Sequence, residues 1–139
     1  MCLFGVSELE QRWLEPRKGA PVRVHLAWVP MQGAGERHVP DASRLASDPR
    51  VRQYWDGADV LGEVYRSVLG LSGPAWDVYL LFGPDQTWNE GQPPKPDFWM
   101  HQLSDETHAP TLDAAVFAQE ADRLVAAAAV HRHHPPPTR

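Results

Sequence analysis

Two aspartates that directly follow tryptophans have the clearest potential for chemistry in this chain. Asp56 ends the sequence Tyr-Trp-Asp, and Asp77 ends the sequence Ala-Trp-Asp. A carboxylate at the end of a strand can bind a cation or act as a general base. His101, in the sequence Trp-Met-His-Gln, can pair with Asp77 if their strands are neighbours. The competing structural roles are a helix cap for Asp56 and a hydrogen bond to loop amides for Asp77.

Tryptophans form a second group of candidate binding residues. Four of them lie at or near predicted strand ends and loops: Trp28, Trp55, Trp76 and Trp88. An indole face can stack on a flat or apolar ligand, and its N–H can orient that ligand. The alternative is core packing, because tryptophan has a large area to bury. Core packing is the favoured interpretation for Trp28.

The chain contains seven histidines, which raises the question of a metal site. His131, His133 and His134 can chelate an ion, but a tail without a packed scaffold rarely makes a selective site. The sequence also lacks the His-Cys and His-Glu spacings of zinc enzymes. We therefore predict no metal and no other cofactor, and we keep a metal-binding protein that uses His and Asp side chains as an alternative.

Other catalytic templates do not fit the sequence. Gly33-Ala34-Gly35 lacks the third glycine of a dinucleotide-binding loop, and neither a Gly-x-Ser-x-Gly elbow nor a Gly-Lys-Ser/Thr sequence occurs. The single cysteine, Cys2, cannot form an intramolecular disulfide and lies far from any predicted strand end. Thiol–disulfide chemistry within the chain is therefore not expected.

Composition restricts the class of protein and its partners. A chain of 139 residues with 42% hydrophobic content can bury one sizeable core. The net charge of −5 gives no basic surface for gripping phosphates, so nucleic acid is not an expected partner. The apolar runs are too short to cross a membrane, and the first residues do not resemble a secretory signal. The expected location is the cytoplasm.

The first half of the chain predicts two helices and one strand. Ser7 and Glu10 fit a capping box, which predicts a helix from about Glu8 to Leu14. Alternating apolar residues predict a central strand from Val22 to Trp28. Pro40 and Asp41 suit the start of a short helix that ends at Ser47.

The second half predicts three strands and two helices. The strands are Val51–Trp55, Val78–Phe82 and Phe98–Leu103. A helix that follows Asp56 has Gly70 as a left-handed terminator, and a second helix runs from Leu112 to Val130 with Thr111 as its cap. A long loop, 83–97, is a candidate for function because it exceeds the needs of a hairpin. The predicted organisation is an N-terminal helical extension (1–19), one domain (20–130) and a disordered tail (131–139).

The order of these elements resembles the thioredoxin fold over roughly residues 20 to 130. Trp28-Val29-Pro30-Met31 lies where redox relatives have Cys-x-x-Cys, and Trp76-Asp77 lies where they have a cis-proline. Together with Trp-Met-His-Gln-Leu, these sequences also resemble thioredoxin-like bacterial proteins without that cysteine motif. The resemblance implies an α/β/α sandwich of three layers with a mixed central sheet in the order βαβαββα and an extra N-terminal helix. It also implies that Asp77 faces the loop at Pro30 and Met31.

These residues favour a redox-inactive binding or interaction module. Its recognition surface would be formed by the loops at Pro30-Met31, Trp55-Asp56 and Trp76-Asp77, with Trp88 and His101 as further candidates. The partner would be a small molecule or a protein, and a homodimer through an apolar face is compatible with the composition. The alternatives are a non-redox enzyme with an Asp77 and His101 acid–base pair, and the metal-binding protein described above.

Overall fold

The computed structural model describes residues 3–89, 91, 93–106 and 108–133, with the backbone alone for 131–133. In chain order the main elements are α1 (Leu3–Leu9), β1 (Val24–Trp28), α2 (Val39–Ala42), β2 (Val51–Trp55), α3 (Val60–Leu69), β3 (Val78–Leu81), β4 (Phe98–His101) and α4 (Ala114–His133). The predicted α/β class is confirmed. None of the helices in these ranges is long and apolar enough to span a membrane.

The strands form two separate pairs among the described residues. β1 lies parallel to β2, with Trp28 opposite Trp55, and β3 lies antiparallel to β4, with Val78 opposite His101. The predicted single mixed sheet also needs a ladder between β1 and β3, and these pairs do not include one. Each observed pair joins strands that are successive in sequence. A ladder between β1 and β3 would join strands that are distant in sequence. Its formation depends on how the β1–β2 pair docks against the β3–β4 pair through side chains, which local sequence patterns do not specify.

The N-terminal helix begins earlier and ends later than predicted. After α1 the chain continues as a π-helix (Glu10–Leu14) and a 3-10 turn (Glu15–Arg17). Ser7, the predicted cap, lies inside α1, where its hydroxyl accepts a hydrogen bond from Gln11 Nε2 at 3.1 Å. The segment contributes three residues to the hydrophobic core: Val6, Trp13 and Leu14. Burial of these three side chains stabilises the helical segment more than its capping residues do. The N-terminal extension is therefore part of the packed domain.

A buried ion pair anchors the end of this N-terminal segment to β2. The side chains of Asp48 and Arg50 are 9% and 14% exposed, and Arg50 Nη2 lies 2.6 Å from Asp48 Oδ2. Arg50 also donates to the carbonyl oxygens of Leu14, Arg17 and Ala20, at 2.7, 2.7 and 3.4 Å. Carbonyls at a helix C-terminus lack partners within the helix. Arg50, directly before β2, donates to the Leu14 carbonyl and adds a second donor to the carbonyls of Arg17 and Ala20, which also accept from the N–H groups of Ala20 and Val22.

The Asp48–Arg50 pair predicts a loss of stability in acid. The Arg50 guanidinium hydrogen-bonds to the Asp48 carboxylate and lowers the pKa of Asp48 to about 2. The pair therefore contributes its full stability above the unfolded-state pKa of about 3.9 and loses it as the pH falls through about 2. In urea titrations, the stability difference between wild type and Asp48→Asn should shrink across that window. A difference that is constant with pH would contradict this account.

The start and end of α3 agree with the sequence prediction. Asp56 accepts hydrogen bonds from the backbone N–H groups of Val60 and Leu61, at 3.0 and 2.7 Å. Gly70 ends the helix with a φ of 73°, which glycine adopts without the steric cost of a Cβ atom. The predicted capping role of Asp56 is confirmed.

The final helix differs from the prediction at both ends. Asp113, not Thr111, caps α4, because its carboxylate accepts from the N–H groups of Ala115 and Val116 at 2.8 and 3.1 Å. The helix continues through His131 to His133, where the sequence predicted the start of a disordered tail. Residues 134–139 lie outside the described residues.

Candidate functional site

Strained backbone occurs in each of three loops that the sequence analysis selected. These are the loops at 29–35 after β1, at 56–59 between β2 and α3, and at 70–77 between α3 and β3; we call them the three loops. Among the described residues, the non-glycine positions with positive φ are Gln32 (53°), Asp59 (54°) and Asp77 (56°), one in each loop. Left-handed backbone is unfavourable for residues with a Cβ atom and clusters at binding and active sites. The three loops are therefore the candidate site.

Short contacts connect each of the three loops to the next. The backbone N–H of Asp56 donates to the Trp28 carbonyl at 2.9 Å, which joins the end of β2 to the end of β1. Asp59 Oδ1 lies against Gly62, where an added Cβ would come within 2.1 Å of it. The Gly62 carbonyl accepts from the N–H of Ala75 at 2.9 Å, two residues before Asp77. The first turn of α3 therefore links the second loop to the third.

Asp59 is the most perturbed carboxylate of the three loops. Burial, and then the charges of Asp56 and Glu63, raise the pKa of Asp59. Its Oδ1 atom is buried without a hydrogen-bond partner among the described residues. Two large apolar side chains follow it at the surface, Val60 (59% exposed) and Leu61 (36%). This part of the site combines negative charge with exposed apolar area.

The two tryptophans at the ends of β1 and β2 have different environments. Trp28 is 3% exposed, belongs to the core and donates from Nε1 to Gln53 Oε1 at 2.9 Å. The core interpretation of Trp28 is confirmed, and its indole is not available to a ligand. Trp55 is half-buried. Gly57 of the second loop lies close to its indole nitrogen, since a Cβ at Gly57 would lie 2.7 Å from Trp55 Nε1.

Pro30 and Met31 lie in the first loop, Pro30 exposed and Met31 half-buried. The Met31 N–H donates to the Val29 carbonyl at 2.9 Å, which turns the chain sharply after β1. The expected position of Asp77 beside these residues depends on pairing between β1 and β3. Because that ladder is absent between the described strands, the position of Asp77 next to Pro30 and Met31 stays a prediction.

Asp77 belongs to a polar cluster on one face of the β3–β4 hairpin. The Tyr79 hydroxyl lies 2.7 Å from Asp77 Oδ1 and 2.9 Å from Gln102 Oε1, and its one proton can serve one of these acceptors at a time. The backbone N–H of Gln102 donates to the Asp77 carbonyl at 3.0 Å. Trp76, the residue before Asp77, is half-buried. The packing around Tyr79 is tight, because a Cβ on Gly5 would lie 1.8 Å from its hydroxyl.

The structure does not bring His101 together with Asp77. His101 pairs with Val78, and side chains alternate along a strand, so His101 lies on the face opposite Asp77 and Tyr79. Its ring nitrogens already have partners: the Ala109 carbonyl at Nε2 and the Leu103 N–H at Nδ1, both at 3.0 Å. His101 is 1% exposed. The acid–base pair that the sequence suggested is therefore wrong, and His101 has a structural role.

No family model, curated protein or solved structure matches this chain. The interpretation of the site consequently depends on its own geometry. Within the described residues, no group of three or more histidine, cysteine, aspartate or glutamate side chains is placed to hold a metal ion.

Trp88 contacts an aromatic cluster that includes Tyr65 and Phe82. It is 55% exposed, and its ring lies 5.8 Å from Tyr65 and 6.2 Å from Phe82 between centroids. The base of its loop is closed by Asp97, whose Oδ2 accepts from the Gly83 N–H at 2.7 Å. Tyr65 is 5% exposed, and its hydroxyl has no partner among the described residues. Burial raises the pKa of Tyr65 to about 12.

Removal of the Tyr65 hydroxyl should stabilise the protein. An unpartnered buried hydroxyl costs about 1–3 kcal/mol of desolvation, so Tyr65→Phe should raise the free energy of unfolding by about 1 kcal/mol. The matched control is Tyr79→Phe, which removes a hydroxyl bonded to Asp77 and should lower that free energy by about 1 kcal/mol. Chemical denaturation measures both. A less stable Tyr65→Phe would show that the hydroxyl has a partner, such as a buried water.

Several important side chains escaped the sequence analysis. Tyr65 lies in the predicted helix after Asp56 and Tyr79 in the predicted strand Val78–Phe82, neither with a predicted polar role, and Arg50 directly precedes the predicted strand Val51–Trp55. Asp59 precedes α3 next to the stronger cap signal of Asp56. Gln32 is distinguished by its left-handed backbone, and Asp59 by that backbone and by its buried oxygen without a partner among the described residues. Single-sequence patterns do not report φ for residues other than glycine.

Proposed function

We propose that this protein is a redox-inactive binding module that recognises its partner through the three loops. The observation that carries the proposal is the occurrence of left-handed non-glycine backbone at one position in each loop. Left-handed backbone costs free energy, more at Gln32 than at the two aspartates, and it persists where the surrounding structure holds the loop in a fixed shape. A preformed loop loses less conformational entropy on binding, which favours recognition.

The charge and surface of the three loops support a particular class of ligand. Asp56, Asp59 and Asp77 supply carboxylates, and Val60 and Leu61 add exposed apolar area. Both oxygens of Asp56 accept from N–H groups of α3, whereas Asp77 has only Oδ1 bonded to the Tyr79 hydroxyl and Asp59 has only Oδ1 buried, so the Oδ2 atoms of Asp59 and Asp77 are the better contacts. A ligand with a cationic group next to an apolar group complements this surface. It can be a small molecule or a side chain of a partner protein.

A thioredoxin-like relationship is the structural part of the same proposal. Support comes from the order of the elements, the parallel β1–β2 pair and the antiparallel β3–β4 pair. The loop after β1 offers no thiol, since residues 29–35 contain no cysteine. Binding by the three loops does not require the missing β1–β3 ladder.

Chemical-shift mapping by NMR tests the proposal with three probes of similar size. Benzylamine is cationic, benzyl alcohol is neutral and benzoate is anionic. Benzylamine should perturb backbone amides in residues 29–35, 56–59 and 70–77 more than benzyl alcohol does, and benzoate should have the least effect. Perturbations confined to other residues, or stronger for benzoate, would overturn the proposed surface.

The variant Asp59→Asn tests the role of the carboxylate. Asparagine tolerates left-handed backbone as aspartate does, so the loop should keep its shape while it loses a charge. Benzylamine perturbations should weaken severalfold, and the melting temperature should rise, because burial disfavours the charged form of Asp59. Asp41→Asn is the matched control, because Asp41 is an exposed carboxylate outside the three loops. Equal effects of the two variants would mean that only the net charge matters.

A further inference from the structure

A groove lies at the end of the β1–β2 pair opposite the first two of the three loops. It is lined by residues of the N-terminal segment and of the turn before β2: Glu10, Glu15, Pro16, Lys18, Ser47, Asp48, Pro49 and Arg50. The turn leads into the first residue of β2, whereas those two loops follow the last residues of β1 and β2. The groove shares no residue with the three loops.

Glu10 is the unusual group in this groove. It is 8% exposed, and its Oε1 accepts from the Asp48 N–H at 3.0 Å and from the Ser47 hydroxyl at 3.4 Å. Its Oε2 is buried and has no hydrogen-bond partner among the described residues. A buried carboxylate oxygen without a partner is costly and calls for an explanation. Glu10 is also the first residue of the π-helix, a distortion that occurs frequently at functional sites.

The arginine that lines this groove cannot satisfy Glu10. Arg50 has five N–H donors, and all of them have acceptors: Nε and one Nη2 hydrogen bond to Asp48, and the others bond to the carbonyls of Leu14, Arg17 and Ala20. The charge of Arg50 is also balanced by Asp48. The carboxylate of Glu10 therefore keeps a buried acceptor atom without a donor, at a groove whose Asp48–Arg50 ion pair is already satisfied.

We infer that the groove binds the cationic end of an alkyl ammonium or alkyl guanidinium group, with Glu10 Oε2 as its acceptor. The ligand class follows from the charge of Glu10 and from its need for a donor. Its shape follows from burial: Oε2 has almost no exposed surface, so contact requires the lining side chains to move, and a slender chain requires a smaller movement than a broad ring. The source of the cation is a free amine or the side chain of a lysine or arginine.

Titration of the full chain with three probes tests this inference by NMR. Agmatine and butylamine represent free cations, and a capped Gly-Arg-Gly peptide represents a protein side chain. At least one of them should perturb the amides of Glu10, Ser47 and Asp48, and the strongest identifies the source. Glu10→Gln should weaken that binding roughly tenfold or more, as expected for loss of a hydrogen bond to a charged acceptor. Glu36→Gln, an exposed control outside the groove, should leave the binding within twofold.

A second variant, Glu10→Asp, distinguishes a direct contact of the ligand with Oε2 from a long-range effect of the negative charge. Glu10→Asp keeps the negative charge but withdraws it by one methylene, so binding should still weaken if Oε2 contacts the ligand. Unchanged binding in Glu10→Asp or Glu10→Gln would overturn the inference, as would the absence of groove perturbations with all three probes. If Glu10→Gln fails to fold, Glu10→Asp decides the question by itself. Because these readouts lie in the groove, they do not depend on the benzylamine result at the three loops.

Discussion

Replacement of Arg50 by alanine should lower the free energy of unfolding by about 3–5 kcal/mol. The change leaves the carboxylate of Asp48, only 9% exposed, without its cation. It also removes the donors to carbonyl oxygens of three residues at the end of the N-terminal segment. Loss of one partner of a buried ion pair is costly because the other charge stays desolvated. Urea denaturation measures the effect.

Arg52→Ala is the matched control for this prediction. Arg52 lies two residues away in β2, is exposed, and donates to the Pro49 carbonyl at 3.4 Å. Its replacement should change the free energy of unfolding by no more than about 0.5 kcal/mol. Similar losses for Arg50 and Arg52 would mean that the ion pair does not anchor the N-terminal segment.

Trp28→Ala should destabilise the protein by a comparable amount, about 3–5 kcal/mol. Trp28 is 3% exposed in the core, so truncation removes a large buried area and leaves a cavity. It also removes the donor to Gln53, whose amide bonds to the carbonyls of Ser43 and Ala46 at 3.0 and 2.9 Å. The loss should therefore extend to the segment between α2 and β2. Thermal and chemical denaturation should agree on its size.

Trp88→Ala is the control that distinguishes a core tryptophan from an exposed one. Trp88 is 55% exposed, so its replacement should cost about 1 kcal/mol or less. Trp28→Phe should lie between the two, because it keeps part of the buried area but has no N–H donor. A stable, well-folded Trp28→Ala variant would contradict the core assignment and return Trp28 to the candidate binding residues.

Local signals in the sequence were sufficient where neighbouring residues decide the conformation. The bounds of β2, the capping of α3 by Asp56 and the left-handed end at Gly70 all agree with the prediction. Each depends on short-range effects: β-branched and aromatic content, a carboxylate near free N–H groups, and a residue without Cβ. The α/β class also follows from the alternation of such elements.

Long-range contacts decided the features that the sequence analysis missed. The N-terminal helical segment, 3–17, extends beyond its predicted bounds because Val6, Trp13 and Leu14 reach the core. The strand register places Asp77 and His101 on opposite faces, although the sequence allows them to pair. A one-residue change of register would exchange those faces, and no local pattern fixes it here.

The sequence by itself determined the α/β class, the bounds of β2, the caps of α3, and that the loop after β1 has no thiol. The tertiary structure alone decided which side chains are free to act. Trp28 and His101 are occupied by packing and by hydrogen bonds, whereas Asp59 and Glu10 each retain a buried oxygen without a partner among the described residues. The physical reason is that a polar atom is satisfied by groups that folding brings near it, and here those groups come from distant parts of the chain.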